Sequence, residues 1–481
     1  MFGGTARRGL PAVAAGVAVL ALIAGCGGGT QGEAQTVGNV SGLPVTHFDS
    51  GLKPDAPKPD LPVQDLTDSP EDTIAVAAIA DVSDYWKETL PASFDGQPFE
   101  PVKKLLSYDP DGTPAEACGT STADAAMNAF YCPPEDLVAW DRGQLLPFLR
   151  ERFGEMAVVT VLGHEFGHAI QYRLGEKAGV DKQTKTIVKE QQADCFTGGY
   201  FRWMAEGRSK YFTVSTSEGL NEVMASLFFI RDQAGKSATD RGAHGTAFDR
   251  TFAFQTGFEK GAAECASMSL DNIEPRITEQ PFDKKDSGEG DERVSSELLG
   301  YLKDSLDQAF AGAGVQGPEI VEGSGACANG PDTAPASYCP DDNTVNVDLA
   351  KLKELGRPVD KEAEISGDAG APLGDFAALA EVASRYTQGV QKGVGASLDN
   401  SNAGLRTSCL VGAWAAATNT EGNRLRLSSG DLDEAIAELL QPRSLIAADV
   451  NGNQVPSGFA RVESLRKGYL EGSGPCSEQY G

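Results

Sequence analysis

The stretch TVLGHEFGHAIQYR, residues 160–173, carries two of the four histidines in a chain of 481 residues. Apolar residues recur at helical spacing from 147 to 173 and Gly175 follows as a stop, so the pattern predicts one helix over this range. On a helix, residues i and i+4 stack on one face. His164 and His168 then aim two imidazoles at one point, within reach of a zinc ion at about 2.0–2.1 Å per bond. Glu165, directly after the first histidine, can hold a water at that point and accept its proton. The plain alternative is an amphipathic helix with two hydrogen-bonded histidines. Yet HExxH should arise by chance in roughly two of a thousand chains of this length and composition.

A catalytic zinc usually has three protein ligands. The pattern HExxHxxGxxH would supply the third as a later histidine, but its glycine and histidine positions hold Gln171 and Leu174. The segment KEQQADCF (189–196) offers Glu190 and Asp194 instead, again four apart and without Gly or Pro. On a helix they share a face. Glu190 is expected as the third ligand, and Asp194 as the acceptor of a ligating histidine's outer ring N–H, which fixes its tautomer. This arrangement resembles the HExxH…ExxxD pattern of the gluzincins.

The rest of the chain gives the setting. A formal net charge of −28 argues against nucleic acid and against electrostatic docking on anionic lipid. Arg7 and Arg8 precede an apolar run too short for a membrane span, which needs about 20 residues. A charged start, a short apolar core and Ile23-Ala24-Gly25-Cys26 read as a signal peptide over 1–25 ending in a lipoprotein cleavage site, with Cys26 the lipidated residue. Residues 26–65 are Gly-, Pro- and polar-rich, the composition of a flexible tether. The expected location is the extracytoplasmic face of a bacterial cell membrane, held by the lipid.

Eight further cysteines suit an exported, disulfide-bonded chain, and an internal repeat narrows their pairing. NAFYCPPEDLVAWDRGQL (128–145) matches ASYCPDDNTVNVDLAKL (336–352), and DYWKETLPASF (84–94) matches GYLKDSLDQAF (300–310). Likewise ADCFTGGYF (193–201) matches TSCLVGAWA (407–415), and FDRTFAFQTGFEKGAAEC (248–265) matches FARVESLRKGYLEGSGPC (459–476). Matches in one order predict two copies of a domain, at 66–275 and 296–481, joined by a polar linker at 276–295. Pairing within each copy gives Cys118–Cys132 and Cys195–Cys265, then Cys327–Cys339 and Cys409–Cys476. In the second copy His164, Glu165 and His168 correspond to Ser384, Arg385 and Gln388, and Glu190 and Asp194 to Gly404 and Ser408. No histidine follows His244. One zinc is therefore expected, in the first copy only, leaving the second as a degenerate domain and a surface for a protein partner.

NAFYCPPEDLVAWD, VLGHEFGHAIQ, EQQADCFTGGYF and HGTAFDRTFAFQTGFEKGAAEC together resemble the bacterial neutral zinc metallopeptidases over about 84–270. The resemblance implies an α+β, helix-rich, zincin-like domain with a short β-hairpin, zinc on His164, His168 and Glu190, and Glu165 as acid/base. It also places His244 in the family's His-Gly-Thr/Ser stretch, as a stabiliser of a developing oxyanion, or else as a turn histidine without a reactive role; Tyr200 is a weaker candidate for that task. The segments NAFYC and LVAW, separated by PPED, are expected to form a hairpin whose edge offers a strand to a peptide substrate. The leading expectation is a peptidase acting through a zinc-bound water. A non-catalytic envelope scaffold and a zinc hydrolase of cell-wall amides stay open beside it.

Overall fold

A computed structural model of the chain describes residues 39–283, 290–360, 363–364, 370–420 and 422–481. The expected signal peptide, Cys26 and the start of the tether lie outside the described residues. From residue 39 the tether expectation is corrected, because the segment is folded onto the body. Val40 and Val45 are buried, Thr46 and Thr216 exchange hydrogen bonds, and the Leu52 N–H donates to Glu155. The composition reads as unstructured, but its few apolar side chains find slots and its backbone finds partners on distant segments.

The strands β1 (Gly51–Leu52) and β2 (Val63–Gln64) lead to α1 (Pro70–Ser93), which Ser69 starts by accepting the Asp72 N–H. A sheet follows from β3 (Lys104–Tyr108), β4 (Ala129–Cys132) and β5 (Leu137–Asp141), in the order β2-β3-β5-β4. β3 runs parallel to β5, and β4 pairs with β5 as the expected hairpin and lies at the sheet edge. Then come α2 (Leu145–Phe153), α3 (Glu155–Leu174), α4 (Thr186–Ala205), β6 (Phe212–Thr213), which pairs with β1, α5 (Glu218–Phe229) and α6 (Ala247–Lys260). The single helix expected over 147–173 is therefore two. Gly154 breaks it at φ 95°, a left-handed conformation that glycine adopts without a Cβ penalty. The Glu222 carboxylate fills the space a Cβ would take there and accepts from the Met156 N–H.

The second half also sets a small sheet ahead of packed helices. After α7 (Ser296–Phe310), strands β7 (Glu319–Glu322), β8 (Ala336–Cys339) and β9 (Thr344–Val347) form a sheet β7-β9-β8 with one parallel and one antiparallel pairing. The helices α8 (Asp375–Gly393), α9 (Ala403–Thr418), α10 (Asp431–Leu440) and α11 (Gly458–Glu471) complete it. In the first half α4 and α6 cross so closely that a Cβ on Gly198 or Gly257 would collide with the Phe254 or Cys195 carbonyl. In the second, Gly412 and Gly468 stand in the same relation to Leu465 and Cys409. Disulfides Cys195–Cys265 and Cys409–Cys476 clamp the two crossings, while Cys118–Cys132 and Cys327–Cys339 brace the hairpins. Where described, the expected linker is also packed: Thr278 and Glu279 N–H groups donate to Asp249, and Val294 is buried. Its polar residues are absorbed as caps for buried groups, which its composition did not signal. Among the described residues no helix is long and apolar enough to cross a membrane.

Candidate metal centre

The site is built where α3 meets α4. Fifteen of the 20 residues of α3 are buried, so its position is set by packing on most sides rather than by one apolar stripe. Gly167 faces Ala193, and a Cβ there would lie 3.0 Å from the Ala193 backbone. That approach puts Glu190 of α4 against the histidines of α3. Its Oε2 lies 3.1 Å from His164 Nε2 and 3.5 Å from His168 Nε2, and the two rings stand nearly perpendicular, centroids 4.8 Å apart.

The outer ring nitrogens are engaged. His164 Nδ1 is 2.7 Å from Asp194 Oδ1, which as a carboxylate can only accept, so Nδ1 carries the hydrogen. His168 Nδ1 lies 3.1 Å from Gln171 Oε1. The Gln171 amide donates to the Lys189 carbonyl and to Gln192, leaving its oxygen to accept from His168. Both Nε2 atoms thus face Glu190. Two imidazoles and a carboxylate are a donor set suited to zinc, and ligands on a tetrahedral zinc stand about 3.3 Å apart when each bond is near 2.05 Å. The two measured separations bracket that spacing. The three residues fit a zinc ion.

Charge sharpens the arrangement. Burial alone would lower the His164 pKa, but the Asp194 charge and hydrogen bond, with Glu190, raise it to about 10. His168 is raised for the same reason, mainly by Glu190. Burial would raise Glu190, yet the facing histidines hold it well below the ordinary carboxylate value. Asp194 likewise stays below its ordinary value despite burial, chiefly through Arg250. Glu165 projects beside the site and accepts the N–H of Tyr131, on edge strand β4, at 2.9 Å. Burial raises its pKa although both histidines oppose this.

Two participants were missed by sequence reasoning. Arg250 on α6, 2 % exposed, grips Asp194 through Nε and Nη2 at 3.0 and 2.9 Å. Because the repeat pairs it with Arg461, it reads as framework. Gln171 reads only as the failure of a different motif, although its spacing from His168 places the two on one helical face.

Two further candidates have the following contacts. His244 precedes α6 on a half-exposed turn; its backbone N–H donates to Asp232, and its ring faces that carboxylate at 3.6 Å. Tyr200 is corrected: it is buried, and its hydroxyl donates to Asp81, behind the helices. Arg385, which the sequence match pairs with Glu165, is fully buried and donates to the carbonyls of Leu445, Ala448 and Asp449. Gln388 also donates to Ala448, and Ser408 to the Arg461 carbonyl. A separate group of carboxylates, Asp291, Asp375 and Glu434, lies by the start of α8. There Glu434 accepts from Phe376 N–H as Glu222 does from Met156.

A family model described as "putative neutral zinc metallopeptidase" matches residues 15–268. No curated protein and no solved structure matches the chain.

Proposed function

The chain belongs to the neutral zinc metallopeptidase family, and from that membership we propose that its first half is a zinc-dependent peptidase. The observation that carries the reading is the meeting of His164, His168 and Glu190 on one point with Glu165 beside them. A bound zinc here supplies Lewis-acid polarisation of a carbonyl and acidifies a water. Glu165 takes the proton of the attacking water and passes it to the leaving amine. The carboxylate's burial suits a base whose affinity for the proton must rise toward neutral pH, and the Tyr131 N–H holds it in place. Asp194 and Gln171 keep the two imidazoles in the tautomer that leaves Nε2 for the metal. An extended peptide adds to the edge of β4 by backbone hydrogen bonds to the groups that Glu165 does not occupy.

The mature chain is anchored by lipid at Cys26 on the extracytoplasmic face. Arg7, Arg8, the apolar run and the residues before Cys26 support this, and four disulfides suit an oxidising compartment. The second half is a degenerate copy that binds no zinc, supported by the repeated glycine crossings and by Arg385 in the place of Glu165. The test is cleavage of an unstructured peptide library by the purified ectodomain. Hydrolysis should stop with chelator, return with zinc, and be absent from a zinc-loaded Glu165→Gln variant. Cleavage that persists in that variant rules out the assigned base.

A further inference from the structure

The two halves meet through contacts that reciprocate. Asp433 of the second half accepts from the Phe248 N–H, in the first turn of α6, at 3.1 Å. Asn221 of the first half accepts from the Gly458 N–H, in the first turn of α11, at 2.5 Å. Phe258 packs on Phe459 with centroids 4.9 Å apart, and Phe248 on Tyr469 at 5.2 Å. In the repeat, Phe248 corresponds to Phe459 and Phe258 to Tyr469, while Glu222 and Glu434, which follow Asn221 and Asp433, cap equivalent helices. The two ring contacts therefore recur with their partners exchanged, and the caps recur too, since Asp433 also accepts from the Ala247 N–H, which corresponds to that of Gly458; this is the pattern of an isologous, two-fold interface.

Among the described residues, the group of two imidazoles and a carboxylate lies on the first-half side of this interface. α6 carries Arg250, which reaches Asp194 and through it His164. α11 carries Arg461 in the equivalent place, but Ser408 replaces the aspartate, and among the described residues Arg461 Nε has no hydrogen-bond partner. Asp433 reaches Arg250 by two routes. It caps the helix turn on which Arg250 sits, and its other oxygen lies 3.4 Å from Arg231 Nε, next to Ile230, whose carbonyl accepts from Arg250 Nη1 at 2.9 Å.

We infer that the second half is a built-in partner that positions the metal centre: across this interface Asp433 fixes the start of α6, and with it the Arg250–Asp194–His164 chain. Asp433 touches no reacting atom and is a positioning residue. The inference rests on the zinc reading of the first half.

Mirror-image variants of the full chain separate positioning from general support. Asp433→Ala and Asn221→Ala each remove one of the two reciprocal caps, so both should lower the melting temperature. In chelator competition only Asp433→Ala should bind zinc more weakly, by about 2- to 30-fold, the range for residues that act through intermediates. If Asp433→Ala does not fold, Asp433→Asn and Arg250→Gln serve as a cycle: with Arg250 replaced, Asp433→Asn should change zinc affinity no further. Equal zinc affinity in the two alanine variants, or additive effects in the cycle, overturns the inference. A wild type that takes up no zinc overturns the metal reading, and this inference with it.

Discussion

Gln171 and Asp194 perform one task for two histidines, by different chemistry. A carboxylate restrains His164 and a neutral amide restrains His168, so the two partners differ in charge. Replacing Gln171 with Ala should weaken zinc binding roughly 10- to 100-fold, the usual loss when a partner of a ligating histidine is removed. Competition with a chromophoric chelator measures it, and an unchanged constant would show that His168 is oriented by packing alone. The same groups set a proton count. In the metal-free protein His164, at about 10, holds a proton at neutral pH that zinc must displace, and the facing Glu190 shifts His168 upward too. Zinc affinity should therefore climb as pH rises, with about one proton, that of His164, released per ion near pH 7. Calorimetry in buffers of different ionisation enthalpy reads that number, and zero release would contradict the charge assignment. At this scale the sequence was most legible where spacing alone makes a site, as with His164, His168 and Glu165. It was least legible where the partner comes from a distant helix, as with Arg250.

The helix pair α3–α4 is held close by small residues, and the ligand set depends on that closeness. Gly167→Val should force α3 away from Ala193 and draw His164 and His168 off Glu190. Zinc affinity should fall about tenfold or more while the far-ultraviolet circular dichroism spectrum keeps its helical shape. Retained affinity would mean that the crossing has slack. Helices and the hairpin were readable from periodicity and turn residues, and the matched segments pointed to the disulfide pairs, whereas the glycine crossings emerged only from the packing. The break at Gly154 was not, because a lone glycine is tolerated within a helical pattern. Only the long-range carboxylate of Glu222 makes it a boundary. Residues 39–65 misled for a related reason: composition reports how little a segment can bury, not whether a neighbour offers it a groove and hydrogen bonds.

Across the whole molecule, buried carboxylates dominate the response to pH. Burial is the first cause in each case, raising Asp81 and Asp433 to about 6 and Glu222 to about 7. Glu279 and Asp431, pushed further by neighbouring carboxylates, reach about 8. All lie above their unfolded values near 4, so folding favours the protonated forms. Their stabilising contribution is complete below about pH 4 and is lost as pH rises through about 8. Metal-free His164 adds the same sign up to about 10. Asp194 and Glu190, whose pKa values are lowered, act oppositely only on the acid side of that window. In chelator, the melting temperature should thus fall between about pH 5 and pH 9; a flat or rising profile would contradict the burial of these groups.

That the first half carries the chemistry and the second supports it reduces to where one ion sits. Metal analysis of the full chain after zinc loading and dialysis, for wild type, His168→Ala and Glu190→Ala, decides it. The expected result is about one zinc per wild-type chain, as a three-ligand catalytic site implies, and little or none in either variant. A wild type without zinc, or a Glu190→Ala variant that keeps it at undiminished affinity, would contradict the account.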